Sequence, residues 1–268
     1  MELDINSEAY RVLWDFITQP LESTDNIFDK FRALPGALYR ESNTHKQERF
    51  CYIEGTRDNK VLLVAHADTV WYNKTKGIDH NPILENGIIK STSYNCGIGA
   101  DDRAGVAILW LLRNSGHSIL LVDGEENGLI GSRWLTHYNK DISNIINSEH
   151  NFFIQFDRRG SNDYKCYDVG SQQFREYVES KTGYTEPDRY SMTDICSLCV
   201  TTCGVNLSVG YYNEHSNLEI LSVDEWHNTY IIVKDWLEEE TEKFTIENNL
   251  TYDNDFVSEY YFSEYATS

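Results

Sequence analysis

The sequence predicts an α/β fold, a single domain on a mixed, mainly parallel β-sheet flanked by helices on both faces. Three observations carry this expectation. Short apolar runs that read as strands alternate with segments whose apolar residues recur at helical spacing. Turn residues punctuate each change of pattern. No internal repeat or low-complexity linker divides the 268 residues, a length that can bury a large core in one unit. The reading assigns residues 1–246 to the domain and 247–268 to an acidic, tyrosine-rich tail.

Residues 9–17 place Tyr10, Leu13, Trp14 and Ile17 at helical spacing and stop before Pro20, and residues 28–34 suggest a second, shorter helix. The runs 49–53 and 61–65 are strands between polar turns. Residues 83–84 and 88–89 flank Asn86-Gly87, a dipeptide suited to the positive φ of a hairpin turn. A helix over 102–113, a strand at 119–122, a helix at 130–138, a strand at 152–156 and a helix at 172–180 follow. A short helix within 195–203 leads to a strand at 205–209, and a long closing helix spans 224–244.

Lysine and arginine number 23 against 43 acidic residues, a formal net charge of −20. Phosphate binding needs a basic stripe and none is present, so no nucleic acid partner is expected. The same sign disfavours an anionic membrane surface. The amino end has no basic-then-apolar leader, and the longest apolar runs fall well short of a bilayer span, so a soluble, cytoplasmic protein is expected. Six cysteines then read as free thiols. Cys196, Cys199 and Cys203, spaced C-x2-C-x3-C, are either metal-binding thiolates or, lacking an obvious fourth ligand, small apolar residues of the core.

Five clusters carry chemistry. His66 and Asp68 follow the strand at 61–65; residues two apart on extended backbone point the same way, so Asp68 can brace His66. The glycine-rich segment around Asp101 and Asp102 opens a helix, where acids are also common as caps. Glu125 and Glu126 lie beyond the strand at 119–122, at the sheet edge where such folds place ligands. Asp157 ends the strand at 152–156, and His215 lies just past the strand at 205–209. Four clusters therefore follow strands whose ends converge.

This ordered series, His66-x-Asp68, Asp101-Asp102, Glu125-Glu126, Asp157 and His215, resembles the co-catalytic zinc exopeptidases. That group includes the single-domain zinc aminopeptidases, peptidase T and the glutamate carboxypeptidases. The resemblance implies two Zn2+ per chain, with Mn2+ or Co2+ as possible substitutes, sharing Asp101 as a bridging carboxylate. His66 and Asp157 would complete one metal, Glu126 and His215 the other, with Asp68 orienting His66. The resemblance also implies a cis peptide after Asp101. Charge counting agrees: three ligand carboxylates repel one another if bare, and two divalent cations overcome that repulsion where one does not. Glu125 would act as general base on a water acidified by the metals, which attacks the amide carbonyl of a small peptide.

The series also departs from its relatives. Only 58 positions separate Asp157 from His215, and 35 separate His66 from Asp101, too few for the domains that other branches insert there. The plan is that of the single-domain aminopeptidases. Arg158 and Arg159 either hold a substrate carboxylate or pair with nearby surface acids. Tyr190, Tyr211 and Tyr212 either reach the substrate oxyanion or pack, and Asp194 either stands behind the ligands or caps a helix. The expected function is an aminopeptidase or dipeptidase, the alternatives being an N-acyl amino acid deacylase or a binding protein on the same fold. Oligomeric state is left open.

Overall fold

Alternate residues of the central strands feed two separate cores, and that division sets the layers. A computed structural model describes residues 4–74, 79–188 and 191–246, so the tail expected at 247–268 lies outside the described residues, as does Tyr190. The chain runs through α1 (Glu8–Ile17), α2 (Asp25–Arg32), β1 (Ala37–Glu41), β2 (Arg49–Ile53), β3 (Leu62–His66), β4 (Pro82–Glu85) and β5 (Ile88–Ser91). It continues through α3 (Ala100–Leu111), β6 (Ser118–Val122), α4 (Ile130–Tyr138), α5 (Lys140–Glu149), β7 (Phe153–Arg158), β8 (Tyr164–Lys165) and α6 (Gln172–Thr182). The last elements are α7 (Ile195–Leu198), β9 (Gly204–Ser208), β10 (Tyr211–Tyr212), β11 (Ile220–Ser222) and α8 (Val223–Glu238).

A seven-stranded sheet in the order β1-β2-β6-β3-β7-β9-β8 forms the centre. The four inner strands β6, β3, β7 and β9 are parallel, while β1, β2 and β8 pair antiparallel at the flanks. Every residue of β3, β6 and β9 is buried, as expected of strands covered on both faces. Leu63, Ala65, Ile119 and Leu121 point into the core shared with α1, α2, α3, α6 and α8. Leu62, Val64, Leu120 and Val122 point into the other, closed by α4, α5 and α7. At about 25 cal/mol per Å2 of apolar area removed from water, these two cores supply the main favourable term of folding.

The expected mainly parallel sheet with helices on both faces is present. The hairpin at Asn86-Gly87 is also present, both residues taking positive φ between β4 and β5. That hairpin belongs to a second, four-stranded antiparallel sheet, β10-β11-β5-β4, which the sequence did not announce because β10 and β11 are only two and three residues long. β1 and α5 also escaped the reading. β1 is a half-exposed edge strand, and α5 is rich in Asn, Ser and Asp, which favour turns over helix interiors. Two expected helices are shorter. The one within 195–203 covers only Ile195–Leu198, and the closing helix stops at Glu238. Beyond it the chain is drawn into tertiary pairing: Phe244 N–H donates to the Asn151 carbonyl, and Thr245 bridges Thr202.

Glycine is demanded where α3 crosses the sheet. A β-carbon on Gly105 would stand 2.3 Å from both an Asp102 oxygen and the Phe156 carbonyl. Its absence lets the first turn of α3 press against β7, which brings Asp101 and Asp157 to the same place. Among the described residues, no helix is long and apolar enough to cross a membrane.

Candidate active site

Parallel strands deliver their carboxyl ends to one side, and four of the expected residues arrive that way. His66 is the last residue of β3, paired in register with Val122 of β6. Glu125 and Glu126 form a single 3-10 turn directly after β6, entered through Gly124 at φ 74°. Asp157 sits in β7 itself, one residue before its end. Asp101 is supplied from the first turn of α3. His215 follows β10 of the small sheet, not the end of β9 directly, in a loop where it and Asn213 take positive φ of 61° and 57°. Asn and His are among the non-glycine residues that enter left-handed backbone most readily.

These residues meet in two groups that share one side chain. His66, Asp101 and Asp157 offer ligand atoms all within 4.8 Å of one another, and so do Asp101, Glu126 and His215. The two oxygens of Asp101 divide between them. Oδ1 lies 3.3 Å from His66 Nε2, and Oδ2 lies 3.1 Å from His215 Nε2. His66 Nε2 is also 3.4 Å from Asp157 Oδ1, and His215 Nε2 is 3.0 Å from Glu126 Oε2.

The acids at 101 and 102 do different work. Asp102 faces inward, accepting from the backbone N–H groups of His66 (3.2 Å) and Gly105 (3.1 Å), so the capping role falls to it. Asp101 is left free to face the histidines, across a cis peptide bond between the two. Asp68 lies 3.3 Å from His66 Nδ1, as expected. It also accepts from the backbone N–H groups of Glu125 (3.1 Å) and Glu126 (3.3 Å), so one carboxylate fixes both the histidine and the glutamate turn. Asp123, the first acid of its cluster, turns away into a buried ion pair with Arg49 at 2.6 Å.

Three bracing residues lay beyond the sequence reading. Glu219 is fully buried and accepts from the N–H groups of Ile98 (3.0 Å), Gly99 (2.7 Å) and Asp101 (3.1 Å), holding the loop that presents Asp101. Asn206 clasps Asp157 from both sides, accepting from its N–H at 2.9 Å and donating to its carbonyl at 2.6 Å, where the β7–β9 register shifts. Bulges of this kind redirect a side chain. Gln155 donates to Asp194 (3.1 Å) and accepts from the Ile195 N–H (3.0 Å). Thr193 adds a hydrogen bond of 2.6 Å to Asp157.

The donor set fits cations. His66 Nε2 and Glu126 Oε1 are both buried without a hydrogen-bond partner, an arrangement that is costly unless something else satisfies them. With protons as the only counter-charges, the cluster is badly matched. Burial pushes Glu125 well above the ordinary carboxylate range, repulsion from Asp157 adding to it, and burial with Asp101 nearby pushes Glu126 up to about 7. Burial also raises Asp157. At Asp101 burial is outweighed by the hydrogen bond from His215 and the charge of nearby His66, which hold it well below that range. His215 is pushed up to about 11 by Asp101 and Glu126. Divalent cations would relieve this mutual repulsion more fully than protons can.

The remaining candidates separate. Tyr211 is buried and lines the cavity, with its hydroxyl donating to Asp157 Oδ1 at 3.1 Å. Tyr212 donates to Glu225. Asp194 makes no side-chain cap hydrogen bond at α7 and instead reaches Asp157 through Gln155; burial pushes it up to about 7. Arg158 lines the cavity beside the acids, whereas Arg159 pairs with Glu214 at 3.1 Å. None of the six cysteines is in a disulfide, and among the described residues none joins a metal-capable group; Cys199 and Cys203 are buried in the core and Cys196 is partly buried.

Solved structures share this architecture. An aminopeptidase PepT from Bacillus cereus ATCC 10987 superposes with a TM-score of 0.62 at 15% identity, covering 86% of this chain and 97% of that one. A tripeptidase from Staphylococcus aureus subsp. aureus Mu50 gives 0.61 at 15% identity, over 87% and 98%. The TET1 peptidase of Pyrococcus horikoshii, which can assemble into a tetrahedron or a large octahedral shell, gives 0.59 at 13% identity, over 86% and 99%. The fold is thus the one these peptidases share. Residues 51–186, half of the chain, match the model of peptidase family M28; the protein belongs to that family and is a zinc-dependent metallopeptidase. A curated relative, the uncharacterized protein YqjE of Bacillus subtilis (strain 168), is 33% identical over 95 residues. That match spans 32% of this chain and 24% of the relative. The family match ends before His215, so the place of that residue rests on geometry.

Replacing Glu219 by Gln removes an acceptor from a carboxylate that serves three N–H groups. Stability should fall by about 1–3 kcal/mol, read as a lower midpoint of urea unfolding. An unchanged midpoint would show that the loop before α3 is held by other means.

Proposed function

We propose that the protein is an aminopeptidase or dipeptidase that cleaves small peptides with two zinc ions held by His66, Asp101, Asp157, Glu126 and His215. The observation that carries this reading is the division of the Asp101 carboxylate between two ligand groups. When bound, a pair of zinc ions supplies Lewis acidity and acidifies a water near neutral pH.

The chain's own residues perform the rest. Glu125 lines the cavity and is placed by its backbone bond to Asp68. In the reaction its carboxylate takes a proton from the attacking water as the oxygen bonds to the carbonyl carbon. It returns that proton to the nitrogen as the C–N bond breaks, leaving a carboxylic acid and an amine. Asp68 keeps His66 oriented, and Tyr211 with Thr193 keeps Asp157 oriented. Glu214 supports the preference for a free amine over an acyl group. It lines the same cavity, and its Oε2 is buried without a hydrogen-bond partner, suited to accept from a substrate ammonium.

Glu125→Gln should retain the wild-type metal content while turnover of aminoacyl anilides falls roughly 10²–10⁴-fold; full activity would remove Glu125 from the reaction. Asp101→Asn should lose both metals together by elemental analysis, because one side chain serves both. Retention of either ion at full occupancy would show that the carboxylate is not shared.

A further inference from the structure

The cavity that opens onto the acids, about 180 Å3, is lined by one cation that the fold leaves poorly satisfied. Arg158 is only 7% exposed, and among the described residues its sole ion pair is a long one, 3.5 Å from the NH2 nitrogen to Asp163. Its Nε is buried with no hydrogen-bond partner. A guanidinium presents five N–H donors in a planar fork, and burying it without acceptors is costly. The neighbouring Arg159 differs: it is 47% exposed and paired with Glu214 at 3.1 Å, so its charge is already answered at the rim.

The position of Arg158 also matters. It directly follows Asp157 in β7, and the two side chains share a cavity wall with Glu125, Tyr211 and His215. A substrate amide held beside Glu125 therefore brings its neighbouring groups within the reach of Arg158. The group that answers a planar fork with two acceptor oxygens is a carboxylate.

Resting on the peptidase reading, we infer that Arg158 is the specificity-determining residue of the site. It binds a substrate carboxylate next to the scissile amide, which makes acidic or C-terminally free small peptides the preferred class. Two sources offer that carboxylate: the side chain of an acidic amino-terminal residue, or the free carboxyl terminus of a dipeptide.

Zinc-loaded wild type, Arg158→Gln and Arg158→Lys should be compared on two substrate pairs. Glutamyl and glutaminyl 4-nitroanilide report on the side chain; Ala-Ala and Ala-Ala-amide report on the terminus. Wild type should favour the carboxylate by about 10- to 100-fold in kcat/KM in one pair, and that pair identifies the source. Arg158→Gln should abolish this preference, lowering kcat/KM on the carboxylate member at least about 10-fold more than on its neutral partner. Calorimetry gives a readout free of turnover: wild type should bind glutarate at least about 10-fold more tightly than glutaramate, and Arg158→Gln should bind them alike. Should Arg158→Gln fail to fold, Arg158→Lys decides. It keeps the charge without the paired donors, so both preferences should weaken several-fold, and preferences equal to wild type would overturn the inference. Equal losses on charged and neutral substrates, or no preference in either pair, also overturn it. The two readings fail differently: hydrolysis without discrimination removes the role of Arg158 alone, whereas no hydrolysis of any of the four substrates removes the peptidase reading and this inference with it.

Discussion

The mutual repulsion of buried carboxylates at the carboxyl edge of the sheet is the constraint from which the rest of the site follows. Asp101, Glu125, Glu126 and Asp157 are held in one small space with two imidazoles between them. Buried like charges are tolerated only when cations or protons offset them. Asp101 lies between the two groups, so the requirement for counter-charge on one side is tied to that on the other through a single side chain.

Much of the surrounding fold can be understood as the scaffold for that concentration of charge. Asp68 fixes a histidine and a two-glutamate turn at once. Glu219 restrains the loop before α3, and Asn206 closes around the backbone of Asp157 at a shift in strand register. Gly105 permits the approach of α3 to β7 on which the meeting of Asp101 and Asp157 depends. These contacts hold the candidate donor atoms in place from behind.

The sequence made the candidate ligand residues legible because their chemistry is carried by single side chains at strand ends. Strand patterns located β3, β6 and β7 closely enough to place His66, Glu125, Glu126 and Asp157 on one edge. The bracing layer was not legible. Glu219 and Asp101 are 118 residues apart, and nothing in the local pattern around Glu219 separates a buried acceptor from a surface acid. Asn206 lies inside an apolar strand, where its side chain matters only because β7 is irregular opposite it. The small sheet was missed for a related reason: two- and three-residue strands carry too few residues for a period-2 pattern. His215 lies in the second candidate group, but its route there through β10 was not visible.

The most direct measurement is an anomalous difference map at the zinc absorption edge from crystals grown with zinc. Two peaks are predicted, one bounded by His66, Asp101 and Asp157 and the other by Asp101, Glu126 and His215. A single peak, or a second one away from Asp101, would contradict the shared-carboxylate account.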